Sequence, residues 1–216
     1  MSAGARRELI ERAALEVFAE RGYHRAAIDE IARRAGITPP VLYDHFDSKL
    51  ALHRRLLERT RDELLAMWRE QLGGDEPAAL RIPRALDAWA RYVQEHPYAP
   101  RMFFVETTGE PEIRAVHRDV QAQGRAALGA LLEHEPGAVR LAGADDAQSL
   151  EMLAEVIRSG LTGLAIWWSD HPDVPRERIV RTALDTFWMG LERAGRGGTG
   201  RRSTGSPARA ARARGS

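Results

Sequence analysis

The sequence predicts an all-α protein of about nine helices, with a three-helix head at the N-terminus and a larger helical domain after it. Apolar residues recur at helical spacing through most of the 216 residues. The sustained apolar–polar alternation that is typical of β-strands is missing from the sequence. Glycine and proline fall between the periodic segments. These features place residues 1–50 in the head, 51–194 in the larger domain and 195–216 in a disordered, Arg-rich tail.

The head begins with two helices that each end at a glycine. In residues 7–21, apolar side chains recur on one face at helical spacing, and Gly22 follows as a C-terminal stop. Residues 28–35 repeat this pattern over a shorter length, and Gly36 ends them. We therefore expect two packed helices, with a tight turn at Gly36 that leads into a third helix.

A very short third helix and a long fourth helix follow the turn. Thr38 is a good N-cap and Pro39 fits the first helical position, so a helix is predicted up to Phe46. Because so short a helix is unstable alone, we expect it to pack on its neighbours. The fourth helix begins at residues 47–48 and runs to Leu72, after which two glycines break it.

The helical pattern continues through the larger domain. A loop is predicted over 136–143, and a proline-bounded turn over 171–175 separates the last two helices. The helices are predicted at 82–93, 98–106 (short or irregular), 112–134, 146–169 and 176–193.

Composition excludes several classes of protein. With no cysteine the chain has no disulfide, thiolate nucleophile or Cys-bound metal. No apolar run approaches the ~18 residues that suggest a membrane span, and the charged N-terminus is unlike a secretory signal. The common motifs of serine hydrolases, phosphate-binding loops and zinc proteases are also missing. We therefore expect a cytoplasmic protein that is not an enzyme and needs neither cofactor nor metal.

Charge is distributed unevenly along the chain. Six arginines and no acid lie in 195–216, which leaves 26 basic and 31 acidic residues in 1–194. The tail is therefore either a solvated extension or an extra, non-specific DNA arm. Lys49 is the single lysine among 32 basic residues.

The second and third helices have the size of a helix-turn-helix, with the first helix completing a small core. In this arrangement the second helix of the pair enters the major groove of DNA. Its outward-facing side chains can bond phosphates or touch base edges and thymine methyl groups. These are Thr38, Pro39, Pro40, Tyr43, Asp44 and His45.

The segment from Leu9 to about Leu52 resembles the tetracycline-repressor family of bacterial regulators. The family pattern begins with a helix ending in Phe and Gly-Tyr/Phe, followed by an Ile-Ala…Ala-Gly-Val/Ile turn. A Ser/Thr-x-x-x-Leu-Tyr-x-His/Tyr-Phe helix and a Ser-Lys-x-x-Leu opening of the fourth helix complete it. The matching residues are Phe18, Gly22-Tyr23, Ile31-Ala32, Ala35-Gly36-Ile37, Thr38, Leu42-Tyr43, His45-Phe46, Ser48-Lys49 and Leu52. The rest of the chain resembles the family only in being helical and of the right length.

The resemblance implies a role for each residue of the DNA-facing surface. Pro39, Pro40 and Val41 lie nearest the bases, Thr38, His45 and Lys49 hold phosphates, and Tyr43 reaches a phosphate or a thymine methyl. Other interpretations stay open: Tyr43 packing on the first helix, and His45 or Lys49 as plain surface residues.

Two departures from the family pattern stand at the DNA-facing surface. Ala26 and Ala27 replace the usual Thr or Ser before the second helix and can neither cap it nor bind phosphate. Pro40 has no N–H to donate. Residues 1–50 also balance eight basic against eight acidic side chains, so we expect modest salt steering and a contribution from DNA shape.

The resemblance further implies a ligand among the middle helices, over the fourth helix. Large aromatic residues there either fill the core or line a pocket, and a mostly apolar wall favours a small hydrophobic effector. The candidate wall residues are Trp68, Trp89, Tyr92, Phe103, Phe104 and Trp167. The polar candidates are His96, His117 and Glu106.

The last two predicted helices, 146–169 and 176–193, are expected to form a homodimer across a two-fold axis. Gly160 and Gly163 allow close helix approach there, or serve packing within one subunit. The function expected is a ligand-responsive regulator, usually a repressor in this family, that binds a near-palindromic double-stranded operator. Two alternatives stay open: a small-molecule carrier whose head no longer binds specific DNA, and a DNA-binding protein whose pocket is filled by its own aromatic residues.

Overall fold

The computed structural model describes residues 2–104, 111–133 and 147–197, with side chains omitted at 103–104, 147 and 187–197. Over this part of the chain there are nine helices and no strand, which confirms the all-α prediction. The helices are Ala3–Arg25 (α1), Ile28–Arg34 (α2), Pro39–Tyr43 (α3), Lys49–Leu72 (α4), Ala78–Glu95 (α5), Ala99–Phe104 (α6), Pro111–Leu132 (α7), Ala147–Ser169 (α8) and Arg176–Gly197 (α9).

Several predicted boundaries need correction. Helices α1 and α5 each begin four residues before the predicted start, at Ala3 and Ala78. Gly22 has φ of 71° and interrupts α1, but a further helical turn follows it up to Arg25. The third helix ends at Tyr43 rather than Phe46. The last helix continues to Gly197, so 195–197 belong to α9 and not to the tail. The rest of the predicted tail, and the loop predicted at 136–143, lie outside the described residues.

The head has an apolar core to which all of its helices contribute. Ile10 and Phe18 of α1, Ile31 of α2 and Leu42 of α3 are buried together, and Leu52 brings α4 into the same cluster. Burying one such side chain is worth about 1.5–3 kcal/mol, which explains how a five-residue helix is held in place. The cluster continues into Met102, Val116 and Val120 of α6 and α7.

A second core joins α5, α8 and α9. Trp89, Leu161, Trp168 and Ile179 are buried in it, and the Trp168 indole Nε1 donates a hydrogen bond to the Val174 carbonyl at 2.8 Å. That bond ties the turn after α8 to the core, so α9 returns along α5. Helix α7 packs between α4 and α8 and closes the bundle.

None of the described helices is both long and apolar enough to cross a bilayer.

Candidate DNA interface and ligand cleft

The turn between α2 and α3 fixes the angle of the two helices. Gly36 has φ of 70°, a left-handed conformation that glycine adopts without steric cost. The Ile37 N–H then donates to the Ala32 carbonyl at 3.0 Å, which caps the end of α2. Thr38 is extended, and Pro39 starts α3 with its preset φ. The chain therefore enters α3 with one face on the head core and the other turned outward.

The outward face of α3 carries the predicted DNA-facing residues. Tyr43 is 50% exposed, so half of its surface is open to a partner outside the head. Thr38 and Pro40 are exposed, while Val41 and His45 are half-buried. Pro39, which opens the helix, is also half-buried.

Thr38 occupies the N-cap position, but its side chain makes no capping hydrogen bond. Pro40, at the second helical position, has no N–H to donate, which leaves the Val41 N–H as the remaining donor for a cap, and Thr38 does not accept from it.

Lys49 ties the start of α4 to the connection between α1 and α2. Its Nζ donates to the Ala26 carbonyl at 2.9 Å and to the His24 carbonyl at 3.4 Å, and it lies 4.4 Å from the centre of the Tyr23 ring. The side chain is half-buried. The structure thus gives Lys49 a role within the head that the predicted phosphate contact did not include.

Ion pairs hold α2 against α1. Arg34 pairs with Glu20 at 2.6 Å and with Glu30 at 2.9 Å, and Arg21 reaches Glu30 at 2.9 Å. Ala27 is the N-cap of α2 and offers no side-chain hydrogen bond, as its residue type predicts. The cross-helix ion pairs therefore assist packing in positioning this helix.

A buried histidine pair connects α4 with α7, just behind the head. The Nε2 atoms of His53 and His117 lie 3.0 Å apart, and only 1% of His53 is exposed. The His53 ring also packs edge-on against Phe18 and Tyr23. Burial, the neighbouring His117 and the charge of Lys49 lower the pKa of His53 from 6.5 to about 3. The ring is therefore neutral at physiological pH.

An apolar cleft of about 90 Å³ lies between α4, α5, α7 and α8. Three predicted wall residues, Trp68, Trp89 and Tyr92, do line it. The cavity is smaller than the roughly 150 Å³ that accommodates benzene in an apolar protein core, so a larger ligand enters only if the cleft widens.

Other predicted wall residues lie elsewhere or outside the described side chains. Trp167 is 46% exposed and stacks on the His171 ring, with 4.0 Å between ring centres. Its neighbour Trp168 turns inward, because consecutive helical residues point about 100° apart. The side chains of Phe103 and Phe104 are not described.

Nor do the predicted polar candidates line the apolar cleft. His96 stacks on the far side of Tyr92, 4.2 Å between ring centres, and His117 is taken up by the pair with His53. Glu106 lies outside the described residues.

Sequence reasoning missed the aliphatic and cationic part of the cleft wall. Helical spacing could have found it, since the missed positions on α4 and α8 recur three and four residues apart, in register with Trp68 on α4. They include Thr60, Arg61, Leu64, Leu65, Arg158, Leu161, Thr162 and Ala165. Across the described residues, no group of three or more His, Asp or Glu side chains is arranged to hold a metal ion.

An exposed apolar stripe runs along the outer side of α8. Met152 is 57% exposed and Val156 is 61% exposed, and both lie in register with Trp167. Gly160 and Gly163 are exposed on the same helix, and a Cβ added at Gly163 would meet open space. Gly163 is therefore not needed for packing against the described residues of this subunit.

Comparison with known proteins adds three findings. A family model described as bacterial regulatory proteins, tetR family, matches residues 10–56. The chain is 29% identical over 181 residues to the HTH-type transcriptional activator FasR of Mycolicibacterium smegmatis, covering 83% of this chain and 80% of that protein. It is also 29% identical over 185 residues to the HTH-type transcriptional regulator SrpR of Pseudomonas putida, and this match covers 84% of this chain and 83% of that protein.

Among solved structures, the fold is similar to that of the fatty acid degradation regulator FadR from Bacillus halodurans. The TM-score is 0.69 at 16% identity, with 85% of this chain and 97% of that chain covered. This likeness concerns the fold alone.

Proposed function

This chain belongs to the tetR family of bacterial regulatory proteins and is a transcriptional regulator, and we propose that it represses transcription as an operator-bound dimer that a small hydrophobic effector releases. The observation that carries the proposal is α3. Its inner residue Leu42 is completely buried, while Tyr43 beside it is 50% exposed. A helix anchored in this way can present side chains to a major groove without changing shape.

We assign the DNA contacts to the outward face of this helix and its borders. Pro39, Pro40 and Val41 meet base edges through apolar contact, and Tyr43 reaches a phosphate or a thymine methyl. The phosphate ligands are Thr38, His45 and Lys49. For Lys49, the contact comes from an ammonium group that also holds the connection between α1 and α2 in place. Losing it should therefore affect both the head and the DNA affinity.

Dimerisation is a general property of the family, and we propose α8 and α9 as the surface that forms the dimer. The exposed stripe of Met152, Val156 and Trp167 is apolar, and Gly160 and Gly163 let a partner helix approach closely. Two reading helices related by a two-fold axis must reach successive major grooves, about 34 Å apart. A near-palindromic operator follows from this symmetry.

The effector is proposed to bind in the cleft lined by Trp68, Trp89 and Tyr92. A ligand that prefers a head spacing incompatible with the operator shifts the population away from DNA. A hundredfold loss of operator affinity needs about 2.7 kcal/mol of differential binding. This is well within what an apolar ligand gains by burying its surface.

The test is selection of DNA from a random-sequence pool, followed by mobility shift with non-specific competitor at two salt concentrations. The DNA upstream of the protein's own gene is the first natural site to try. We expect a near-palindromic motif and a competitor-resistant shift, and Tyr43→Ala should weaken binding to the selected site about tenfold with unchanged helical content. The matched control is Tyr98→Ala, on a side chain away from α3. A transcription assay on the selected site then separates repression from activation.

Two outcomes would favour the other candidate functions. A folded protein that selects no motif supports the carrier with a head that no longer binds specific DNA. A protein that binds its operator, but whose cleft takes up no apolar ligand, supports regulation by concentration alone. The second outcome has a structural argument, because the cleft measures only about 90 Å³.

A further inference from the structure

Tyr92 stands between two different cavities. On one side it lines the apolar cleft, and on the other it lines a polar cavity of about 420 Å³ between α1, α4 and α5. Thr60, which is only 6% exposed, and Ala99 also line both cavities. Tyr92 can therefore contact a ligand in the apolar cleft and, from its other side, the cavity that borders helix α1.

A continuous chain of hydrogen bonds leads from Tyr92 to α1. The Tyr92 hydroxyl donates to Glu63 Oε2 at 2.9 Å, and Arg59 Nε donates to the other oxygen of Glu63 at 2.7 Å. Arg59 Nη1 then donates to Glu11 Oε2 at 2.8 Å. Four side chains on three helices, α5, α4 and α1, are thereby linked end to end.

Glu11 is anchored firmly at the α1 end of this chain. Only 4% of the residue is exposed, and its other oxygen accepts from Arg55 at 3.3 Å. Burial acts to raise its pKa, but the hydrogen bonds from Arg59 and Arg55 outweigh burial and hold the pKa below the ordinary value. An ionised carboxylate buried in this way depends on its arginine partners. If Arg59 moves away from Glu11, the buried carboxylate loses a charged partner, which destabilises the packing of α1 on α4.

At the cleft end, the environment keeps the Tyr92 hydroxyl protonated. Burial raises its pKa, as do the charge of Glu63 and the hydrogen bond to it, while the Thr60 side chain acts in the opposite direction. The hydroxyl is thus a hydrogen-bond donor, and its single hydrogen can be donated to one acceptor at a time. A ligand with an acceptor atom in the cleft competes directly with Glu63.

We propose that Tyr92 is the residue that senses the effector, and that the chain Tyr92–Glu63–Arg59–Glu11 transmits its occupancy to α1. The effector class is an apolar molecule that carries a hydrogen-bond acceptor, such as a ketone or ester carbonyl. The inference rests on the proposed function, because it requires a cleft ligand that weakens operator binding. Tyr92 acts here as a positioning residue, through Glu63 and Arg59.

The consequence for DNA follows from what α1 supports. When the acceptor takes the Tyr92 hydroxyl, Glu63 loses one partner and holds Arg59 more strongly, at the expense of Glu11. Helix α1 contributes Ile10 and Phe18 to the head core, in which α3 is also packed. A change in the position of α1 on α4 therefore moves α3, the helix proposed to enter the major groove. By linkage, operator DNA must weaken ligand binding by the same factor.

The experiment measures operator affinity by fluorescence anisotropy, using DNA selected from the random pool. The probes are acetophenone and ethylbenzene, which have similar shape and differ in the carbonyl acceptor. The proteins are the wild type, Tyr92→Phe, which removes only the hydroxyl, and the matched control Tyr98→Phe. Tyr98 borders the polar cavity but not the apolar cleft.

We expect acetophenone to weaken operator binding about tenfold in the wild type and in Tyr98→Phe, and ethylbenzene to do so far less. Tyr92→Phe should bind the operator about tenfold more weakly without any probe and should not respond to acetophenone. A merely structural role of Tyr92 would change the melting temperature and leave the response to acetophenone intact.

Several results would overturn the inference. These are an unchanged response of Tyr92→Phe, an equal effect of both probes, or a wild type that binds its operator but responds to neither probe. A wild type that selects no operator contradicts the proposed function instead, so the two failures are distinguishable. If Tyr92→Phe does not fold, Glu63→Gln tests the same step, since it keeps the side-chain shape but removes the charge that draws Arg59 away from Glu11. Its operator affinity should stay near the wild-type value without a probe, and acetophenone should no longer weaken it.

Discussion

The buried pair of His53 and His117 predicts that the free energy of unfolding falls between pH 7 and pH 5. In the folded state the pKa of His53 is lowered to about 3, mainly by burial and then by His117 and Lys49. In the unfolded chain it returns to about 6.5. Between these values the unfolded state binds a proton that the folded state does not. Stability is therefore fully present above pH 6.5 and is lost as the pH falls.

The magnitude follows from the distance between the assay pH and the unfolded pKa. At pH 5 the pH is about 1.5 units below the pKa of the His53 imidazole in the unfolded chain. Protonation of the unfolded state then lowers the free energy of unfolding by about 2 kcal/mol. A proton cannot enter easily in the folded state, because the two Nε2 atoms are 3.0 Å apart and already share one hydrogen. The other nitrogen of His53, Nδ1, is buried with no hydrogen-bond partner among the described residues.

The assay is urea unfolding followed by circular dichroism, at closely spaced pH values between 7 and 5. His53→Gln is the informative variant, because its amide group lies near the position of Nε2, can still bond His117 and does not titrate. Its loss of stability over this range should be smaller than that of the wild type by about 2 kcal/mol. The matched control is His171→Gln on the surface, which should behave as the wild type.

An equal pH dependence in the wild type and in His53→Gln would refute this reasoning. It would mean that the folded protein opens enough to protonate His53 without penalty, or that other groups dominate the acid side of the stability curve. A steeper dependence in His53→Gln would refute it as well, since the variant has one titrating ring fewer.

Three further predictions concern the head and the dimer surface. Replacing Lys49 by Met removes the hydrogen bonds to the Ala26 and His24 carbonyls, and urea unfolding should show a loss of about 1–3 kcal/mol. Tyr43→Ala should weaken operator binding about tenfold in anisotropy titrations. It should change stability by less than about 0.5 kcal/mol, because the ring is 50% exposed. Val156→Arg places like charges on both sides of the proposed two-fold interface, so sedimentation should show a monomer with weakened operator binding. Leu80→Arg on α5, where the native side chain is 56% exposed, is its control. A Val156→Arg dimer of normal affinity would argue against α8 as the interface.

Local patterns in the sequence predicted the helices because their causes are local. Apolar spacing and glycine stops each act within a few residues. The N-cap predicted at Thr38 makes no capping hydrogen bond, whereas the Ser48 hydroxyl accepts from the Ala51 N–H at 3.0 Å at the start of α4. The head was predictable in more detail than the rest, since its turn and short helix have a recognisable spacing. The end of α3 was not, because a five-residue helix depends on tertiary packing more than on propensity.

The site was less predictable where two contacting residues are distant in sequence. It was also less predictable where two adjacent residues of a helix could each face the protein core. Lys49 bonds a carbonyl 23 residues away, and His53 meets a histidine 64 residues away, so no spacing rule indicates either contact. Trp167 and Trp168 are adjacent, and a broad apolar stripe does not show which one faces inward. The structure turns Trp168 to the core and Trp167 to the surface.

Helix α4 connects the two halves of the proposed mechanism, because it belongs to both. Its first turns place Leu52 and Leu56 in the head core, and its later turns place Leu64 and Trp68 on the cleft wall. Cavities that hold drug-sized ligands measure roughly 300–1,000 Å³, whereas this cleft measures about 90 Å³. Any such ligand must therefore move a wall, and α4 and α7 both reach from the cleft into the head core, so neither can move without affecting the head.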